Sequence, residues 1–153
     1  MIVDVQRLYE YGLEIKSANI GINQFKMVDG PDKVIECLKD FGTDENHLLL
    51  MVLPSHTPDK RTESFDNLQF QNHTQFLILE KYDSREFNNN FEEMMVFHRT
   101  LETTKKLLDK IKADAYGSEE FCGLLSTVQA GSLQIDPIRH QSDCNGYSLM
   151  FTF

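Results

Sequence analysis

The sequence predicts an α+β fold with a mixed, largely antiparallel sheet of about five strands, packed by one long helix and two or three short ones. Three observations predict it. Residues 48–53 form a continuous apolar run with the length of a buried strand. Residues 90–115 have the apolar spacing of a long amphipathic helix. Residues 133–153 alternate apolar and polar side chains in two segments, which is typical of a hairpin with one buried face.

The first part of the chain predicts two short helices with a strand between them. Residues 3–14 place apolar side chains at helical spacing, residues 17–24 form a connection, and residues 25–28 form the strand. Pro31 stands in the first turn of a second helix that ends at Gly42. The expected apolar stripes are Val5, Leu8, Tyr9 and Leu13 on the first helix, and Val34, Ile35, Leu38 and Phe41 on the second.

The middle of the chain predicts a buried strand, a polar loop and a hairpin. Residues 48–53 are apolar at every position and precede Pro54, so we expect a strand in the middle of the sheet, buried on both faces. Residues 54–64 lack a large apolar side chain, which predicts an exposed, mobile loop that contacts other chains. A turn at 72–73 and an apolar strand at 76–79 predict the hairpin that follows.

The long helix is predicted over residues 90–115, because its apolar residues lie three and four positions apart. Glu102 and Lys106 have the spacing of a stabilising ion pair. Gly117 ends the helix, and residues 119–125 add a short helical turn. The expected buried stripe is Met94, Phe97, Leu101, Thr104, Leu108, Ile111 and Ala115.

The register of the terminal hairpin is partly fixed by its apolar residues. A two-residue turn at 145–146 would place polar side chains opposite the apolar residues of the last strand. We therefore expect a longer loop over 140–146, with Ile135 opposite Phe151. Because the last strand keeps its alternation up to Phe153, we expect it to pair within the sheet or against a neighbouring subunit.

The composition predicts one globular domain over residues 1–153, with 41% hydrophobic and 25% charged residues. A net charge of −9 argues against sequence-specific nucleic-acid binding, which needs clustered Lys and Arg, and against binding to anionic membranes. The N-terminal residues lack the pattern of a secretory signal, and no apolar run could span a bilayer. We therefore expect a cytoplasmic protein.

No motif predicts catalysis, a metal or a cofactor. The five histidines are dispersed, and none has the spacing of zinc ligands. His98 and Glu102 lie one helical turn apart, either as an acid-base pair or, as we expect, as neighbouring surface groups. Acidic neighbours of Cys37 and Cys144 would raise the pKa of both thiols, and Cys122 is typical of a core position. Reduced, unreactive thiols, no cofactor and no enzymatic activity are the expectation.

Charge is distributed unevenly between two predicted helices. Residues 29–46 are mainly acidic, and residues 99–112 are mainly basic. These segments are either two solvated faces or the complementary halves of a head-to-tail interface between identical subunits. The residues expected at such an interface are Asp32, Glu36 and Asp40 on the acidic side, Lys105, Lys106, Lys110 and Lys112 on the basic side, and Lys60 and Arg61 in the polar loop.

The order of the predicted elements resembles that of tail-terminator and head-to-tail connector proteins of tailed phages. The segments that carry the resemblance are 90–115, 133–138 and 146–153, by their order and by the alternating final strand. The resemblance implies a non-catalytic assembly protein of a phage, prophage or contractile injection particle. Such a protein forms a ring of identical subunits, commonly six, contacts tail-tube or neck proteins, and is incorporated into the particle. The competing class is a small acidic binding module, of adaptor or immunity type, that meets a basic partner.

Overall fold

The computed structural model describes residues 2–30, 32–61, 63–117, 124, 127–140 and 143–153. Within these ranges, α-helices and strands alternate in a mixed order: α1 (Val5–Ser17), β1 (Gln24–Val28), α2 (Asp32–Leu38), β2 (Leu48–Pro58), β3 (Phe70–Lys81), α3 (Asn90–Gly117), β4 (Gln134–His140) and β5 (Cys144–Thr152). The predicted α+β class is confirmed. The helical turn predicted at 119–125 lies outside the described residues apart from Leu124, as do Pro31 and Cys122.

The five strands form one mixed sheet in the order β1-β2-β3-β5-β4. β1 runs parallel to β2, and the other neighbours are antiparallel. β3 therefore occupies the middle, and the prediction that residues 48–53 form the middle strand was wrong by one position. The predicted burial of that segment on both faces is confirmed for residues 48–52. The predicted pairing of the last strand is also confirmed, because β5 lies between β3 and β4.

Helices cover both faces of the sheet. We call the face under α1 and α3 the front face, and the face under α2 the back face. The front core contains Leu8, Tyr11 and Ile15 of α1, Leu107 and Ile111 of α3, and Leu49, Met51, Phe76, Ile78, Leu149 and Phe151 of the sheet. The back core contains Val34 and Leu38 of α2, with Leu48, Leu50, Leu77 and Leu79 of the sheet. Each fully buried large side chain contributes roughly 1.5–3 kcal/mol to stability.

The helix α1 buries a different stripe from the predicted one. Leu8, Tyr11 and Ile15 are fully buried, whereas the other three residues of the predicted stripe are close to half exposed: Val5, Tyr9 and Leu13. The predicted stripe was wrong because α1 carries apolar residues on two sides, and their spacing alone does not show which side contacts the sheet.

The position of α1 on the sheet depends on a glycine. A Cβ atom on Gly12 would lie 2.2 Å from Cζ of Phe25 in β1. The ring of Tyr9 packs on the same Phe25 ring, with 5.2 Å between the ring centroids. The missing side chain of Gly12 thus allows α1 to approach β1 closely.

The helix α3 is also rotated relative to the prediction. It buries Val96, Thr100, Thr103, Thr104, Leu107, Ile111 and Asp114. Of the predicted stripe, Thr104 and Ile111 are buried and Met94 is 40% exposed. Thr100 and Thr104 are accommodated because their hydroxyls donate to carbonyls of the preceding turn, from Thr100 Oγ1 to Val96 O at 2.9 Å and from Thr104 Oγ1 to Thr100 O at 2.8 Å.

Two predictions for the β2–β3 hairpin were wrong. Residues 54–58, predicted as loop, continue β2 after a register shift, and Ser55 pairs with His73. The turn predicted at 72–73 therefore lies inside β3, and the connection shortens to residues 59–69. Pro54 is compatible with the strand because β1 ends opposite Val52, so that beyond this point β2 has one unpaired side.

Two boundaries also differ from the prediction. The helix α2 ends at Leu38, and Gly42 instead precedes a 3-10 turn at Thr43–Glu45. In the terminal hairpin, Ile135 lies opposite Leu149 rather than Phe151, and pairing extends to the end of β4. The loop predicted over 140–146 is thus wrong, because β4 continues to His140 and β5 begins at Cys144. Asp143 adopts a positive φ of 56°, which aspartate tolerates in tight turns.

Replacement of Gly146 tests how tightly β5 fits against β3. A Cβ atom at Gly146 would lie 1.9 Å from the carbonyl oxygen of Ile78, and a backbone atom inside a sheet cannot move aside. We expect Gly146→Ala to lower the free energy of unfolding by about 2–3 kcal/mol. Urea denaturation followed by circular dichroism measures it. The control is Gly131→Ala, where an added Cβ meets no atom within 4 Å. Equal denaturation midpoints for the two variants would contradict the fit.

Candidate functional site

A cleft of about 940 Å3 opens where the β2–β3 hairpin meets the first and last described segments of the chain. We call it the terminal cleft. Its apolar lining comes from Ile2, Val3, Phe70, Leu124 and Phe153, and its polar lining includes Arg7, Lys60, Arg61, Gln69, Gln71 and Gln129. Lys60 and Arg61, predicted to contact other chains, are both exposed at this cleft.

The base of the terminal cleft is fixed by Asn72, which is 4% exposed. Its backbone exchanges two hydrogen bonds with Phe153, at 2.8 and 3.0 Å. Its side-chain Oδ1 accepts from the backbone N–H of Val3 at 3.0 Å and lies 2.8 Å from Nδ1 of His56. Asn72 thereby joins β3 to the segment at Val3 and to Phe153, the residue after β5. No sequence pattern indicates this role, because Asn beside His is also typical of a turn.

The charge at the mouth of the terminal cleft comes partly from a bidentate ion pair. Nε and NH2 of Arg61 donate to the two oxygens of Asp59 at 3.2 and 2.8 Å, and the backbone N–H of Arg61 donates at 2.9 Å. These hydrogen bonds hold the pKa of Asp59 at about 2. Arg61 is therefore ordered at its own position while its side chain remains 85% exposed.

The predicted acidic and basic segments lie on opposite faces of the sheet. Asp32, Glu36 and Asp40 are exposed on or just beyond α2 at the back. Lys105, Lys106 and Lys112 are exposed on α3 at the front. The structure therefore separates the two predicted halves rather than bringing them together within one copy.

Several of these charges have partners within their own helix. Lys105 Nζ donates to Glu102 at 2.7 Å, so the predicted pair of Glu102 with Lys106 is replaced by a pair one residue earlier. Lys112 lies 3.9 Å from Asp109, and on α2 Lys33 lies 3.6 Å from Glu36. These pairs are solvent-exposed and each stabilises the fold by about 0–1 kcal/mol.

Lys110 differs from the other predicted basic residues, because its side chain is 14% exposed. Its Nζ lies 2.6 Å from Glu14 on α1 and 2.9 Å from Asp114. Asp114 also accepts a hydrogen bond from the hydroxyl of Tyr11 at 2.9 Å. Burial lowers the pKa of Lys110, but the two carboxylates outweigh it and the pKa is raised. Lys110 therefore joins α3 to α1.

A second buried chain of polar groups runs through His47. Nδ1 of His47 lies 2.8 Å from Oγ1 of Thr103, and Nε2 lies 2.9 Å from Glu80. Arg99 donates to both oxygens of Glu80, at 3.0 and 2.6 Å. Since an ionised carboxylate only accepts, Nε2 of His47 carries the proton of its hydrogen bond to Glu80.

The order hydroxyl, imidazole, carboxylate is the one used in nucleophilic catalysis. Here the hydroxyl belongs to Thr103, which is 5% exposed in the middle of α3, and Glu80 is 8% exposed. A substrate cannot reach that oxygen without displacing α3. These polar groups therefore form a structural link between α3, β3 and His47, the residue before β2.

Cys37, Cys144 and the pair of His98 with Glu102 agree with the sequence interpretation. Only the main cause of the raised thiol pKa differs from the predicted one. Burial is the largest influence on Cys37 and Cys144; it raises the pKa of both thiols, to about 11 for Cys144, and the acidic neighbours add less. His98 is exposed, and Glu102 beside it is engaged by Lys105.

The described ranges contain neither a cluster of metal ligands nor a helix that could span a membrane. No three His, Cys, Asp or Glu side chains there are grouped as metal ligands would be. None of the helices in that part of the chain has the length and apolar character needed to cross a membrane.

The sequence matches no protein-family model, and it matches no curated protein.

The polar chain through Glu80 predicts a pH dependence of stability. Burial would raise the pKa of Glu80, but hydrogen bonds from His47 and Arg99 outweigh it and hold the pKa below its ordinary value of about 4.3. The stabilisation is therefore present above pH ~4.3 and is lost as pH falls through the lowered pKa. We expect Glu80→Gln to cost about 1.5–3 kcal/mol at pH 7, and less as the pH falls below 4.

Urea denaturation at pH 3 to 7 measures this difference. Glu63→Gln, at an exposed position in the β2–β3 connection, is the control and should leave stability unchanged at every pH. A deficit of Glu80→Gln that stays constant across the range would contradict the role of the ionised carboxylate.

Proposed function

We propose that this protein is a non-catalytic assembly subunit of a phage tail or phage-like particle, which forms a ring of identical copies at the tail end or neck. The observation that carries the proposal is the placement of α2 and α3 on opposite faces of the sheet. One presents acidic side chains and the other presents basic side chains. A contact between two different surfaces of the same chain is heterologous, so it repeats from copy to copy and closes into a ring when the rotation permits.

The order of elements also supports the proposal. The elements follow the order on which the resemblance to tail-terminator and connector proteins rests: α1, the strands before α3, α3 itself and the β4–β5 hairpin. In those proteins the implied role is assembly onto a tail tube. A net charge of −9 suits a wall along which DNA passes, because such a wall repels phosphate.

In the proposed contact, charge determines how the subunits are oriented and contributes little to the binding free energy. An exposed ion pair contributes about 0–1 kcal/mol, so the bulk of the binding free energy must come from apolar contacts. Because Lys110 is engaged with Glu14 and Asp114, the basic side of the contact consists of Lys105, Lys106 and Lys112.

The terminal cleft favours a second candidate, the binding module. A cleft with an apolar lining and exposed Lys60 and Arg61 can receive a segment of another protein. In that case one copy and one partner form the complex, and self-association is not needed.

Solution mass distinguishes the two candidates. We expect multi-angle light scattering to give a multiple of the monomer mass, and negative-stain microscopy to show rings. Reversing Lys105 and Lys106 to Glu should weaken the oligomer, because both charges then repel the acidic segment. Adding Glu36→Lys and Asp40→Lys should restore it.

Arg85→Glu is the matched control for charge reversal, since Arg85 is 87% exposed and lies on neither helix. Reversal of Lys110 is avoided because it would leave Glu14 and Asp114 unpaired inside the fold. A monomer at every concentration and salt tested, with no tube or neck protein able to recruit it, would refute the ring and favour the binding module.

A further inference from the structure

Two apolar strips lie at opposite edges of the front face. The first, which we call the α1 strip, consists of Ile2, Val5, Tyr9 and Leu13. Their exposed fractions are 51, 47, 45 and 46%. Val5, Tyr9 and Leu13 are four positions apart and share one side of α1, and Ile2 lies three residues before the helix. The Tyr9 ring packs with one side on Phe25 of β1, and about half of each side chain in the strip stays accessible.

The second strip, which we call the α3 strip, consists of Met94, Leu101 and Leu108. These residues are seven positions apart and therefore line one side of the helix. Met94 is 40% exposed, and the two leucines are half-buried. The exposed side chain of Ile135 in β4 is 36% accessible and extends the apolar character of this edge of the sheet.

Contacts of α3 show which edge each side of the helix faces. Lys110 reaches Glu14 of α1 from one side. Phe97, close in angle to the α3 strip, contacts Arg139 of β4 from the other side, with 5.9 Å from the guanidinium to the ring centroid. The α3 strip therefore faces the β4 edge, and the α1 strip lies over the β1 edge.

The strand edges themselves are protected from pairing with another sheet. Lys26 lies in the middle of β1, and Pro137 lies in the middle of β4. A charged Lys and a Pro without an N–H are both typical of edges that avoid extension. Copies placed side by side would then meet through the helices above the edges rather than through the strands.

On the back face, the two edge strands carry side chains of opposite charge: Lys26 on β1, whose Nζ lies 5.1 Å from the centroid of the Phe41 ring, and Asp136 on β4. Lys26 pairs in register with Leu50, a residue of the back core, so its side chain points to that face. Asp136 pairs with Ser148, which in turn pairs with Leu77 of the same core. When the β1 edge of one copy meets the β4 edge of another, Lys26 faces Asp136. A two-fold contact between β1 edges would instead bring Lys26 toward a second Lys26.

We propose that the α1 strip of one copy packs against the α3 strip of a second copy of this chain, with Lys26 and Asp136 beneath the contact. The inference rests on the proposed function and names the apolar part of the same contact. The acidic segment adjoins the α1 strip, because Glu36 and Asp40 line one cleft with Val5. On α3, Lys105 and Lys112 lie one turn after Leu101 and Leu108. Four half-exposed apolar side chains form a patch on the order of a few hundred Å2. Such a patch suits the core of an interface of about 800 Å2 per partner, with the charged residues as its rim.

Cysteine cross-linking tests the pairing of the strips whatever their relative direction. Tyr9 and Leu101 lie near the middle of their strips, so Tyr9→Cys and Leu101→Cys should form a disulfide between copies when the two variants are mixed and oxidised. Each variant oxidised alone gives the background from the native cysteines. A covalent dimer from Tyr9→Cys alone would indicate a two-fold contact and overturn the proposal, as would a mixture that stays at background.

Substitution of the α1 strip tests its energetic role. The double change Val5→Asp and Leu13→Asp should raise the concentration of half-assembly by at least about tenfold. Phe65→Asp is the matched control, because Phe65 is 91% exposed and belongs to neither strip. Unchanged melting temperatures show that both variants fold.

A charge exchange tests the arrangement of the edges. Lys26→Glu and Asp136→Lys should each weaken assembly, and the two together should restore it. An oligomer that persists in Val5→Asp with Leu13→Asp overturns this inference and leaves the proposed ring intact. A wild-type chain that stays monomeric even with neck or tube proteins overturns the proposed function as well.

Discussion

The rotation of α3 about its own axis is set by buried polar pairs, and the outer surfaces of the protein depend on that rotation. At one end of the buried face, Thr103 and Arg99 are tied to His47 and Glu80; at the other, Lys110 and Asp114 are tied to α1. An unpaired buried polar group costs about 1–3 kcal/mol, so the helix cannot turn without breaking several such contacts. Its leucines at 101 and 108 are consequently left half-buried at the side.

The same constraint explains why acidic and basic side chains point in opposite directions. With α3 fixed on the front face, its exposed lysines face away from the sheet, and the short helix α2 covers the back. Lys110 shows that a net count of charges along a segment does not describe a surface. It belongs to the basic segment in the sequence, yet its charge is neutralised between two helices.

Much of the fold could be predicted from patterns that a single element carries by itself. The apolar run at 48–53 and the alternation in the final strand identified buried strands, because each pattern reflects burial directly. The stripes of α1 and α3 could not be predicted, since both helices carry apolar residues on two sides and the choice depends on partners elsewhere in the chain. Nor could the extension of β2 to Pro58, because a polar strand with one unpaired side has the composition of a loop. Asn72 was missed for the same reason.

Asn72 also affects the order in which the subunit can form. Its hydrogen bonds join residues separated by 69 and 81 positions in the chain. Closing such long loops costs chain entropy before any contact repays it, so we expect these bonds to form after the local contacts of each element. The terminal cleft is complete only when Asn72 of β3 is hydrogen-bonded to both Val3 and Phe153. A protein that recognised the cleft would discriminate finished subunits from immature ones without any separate checkpoint.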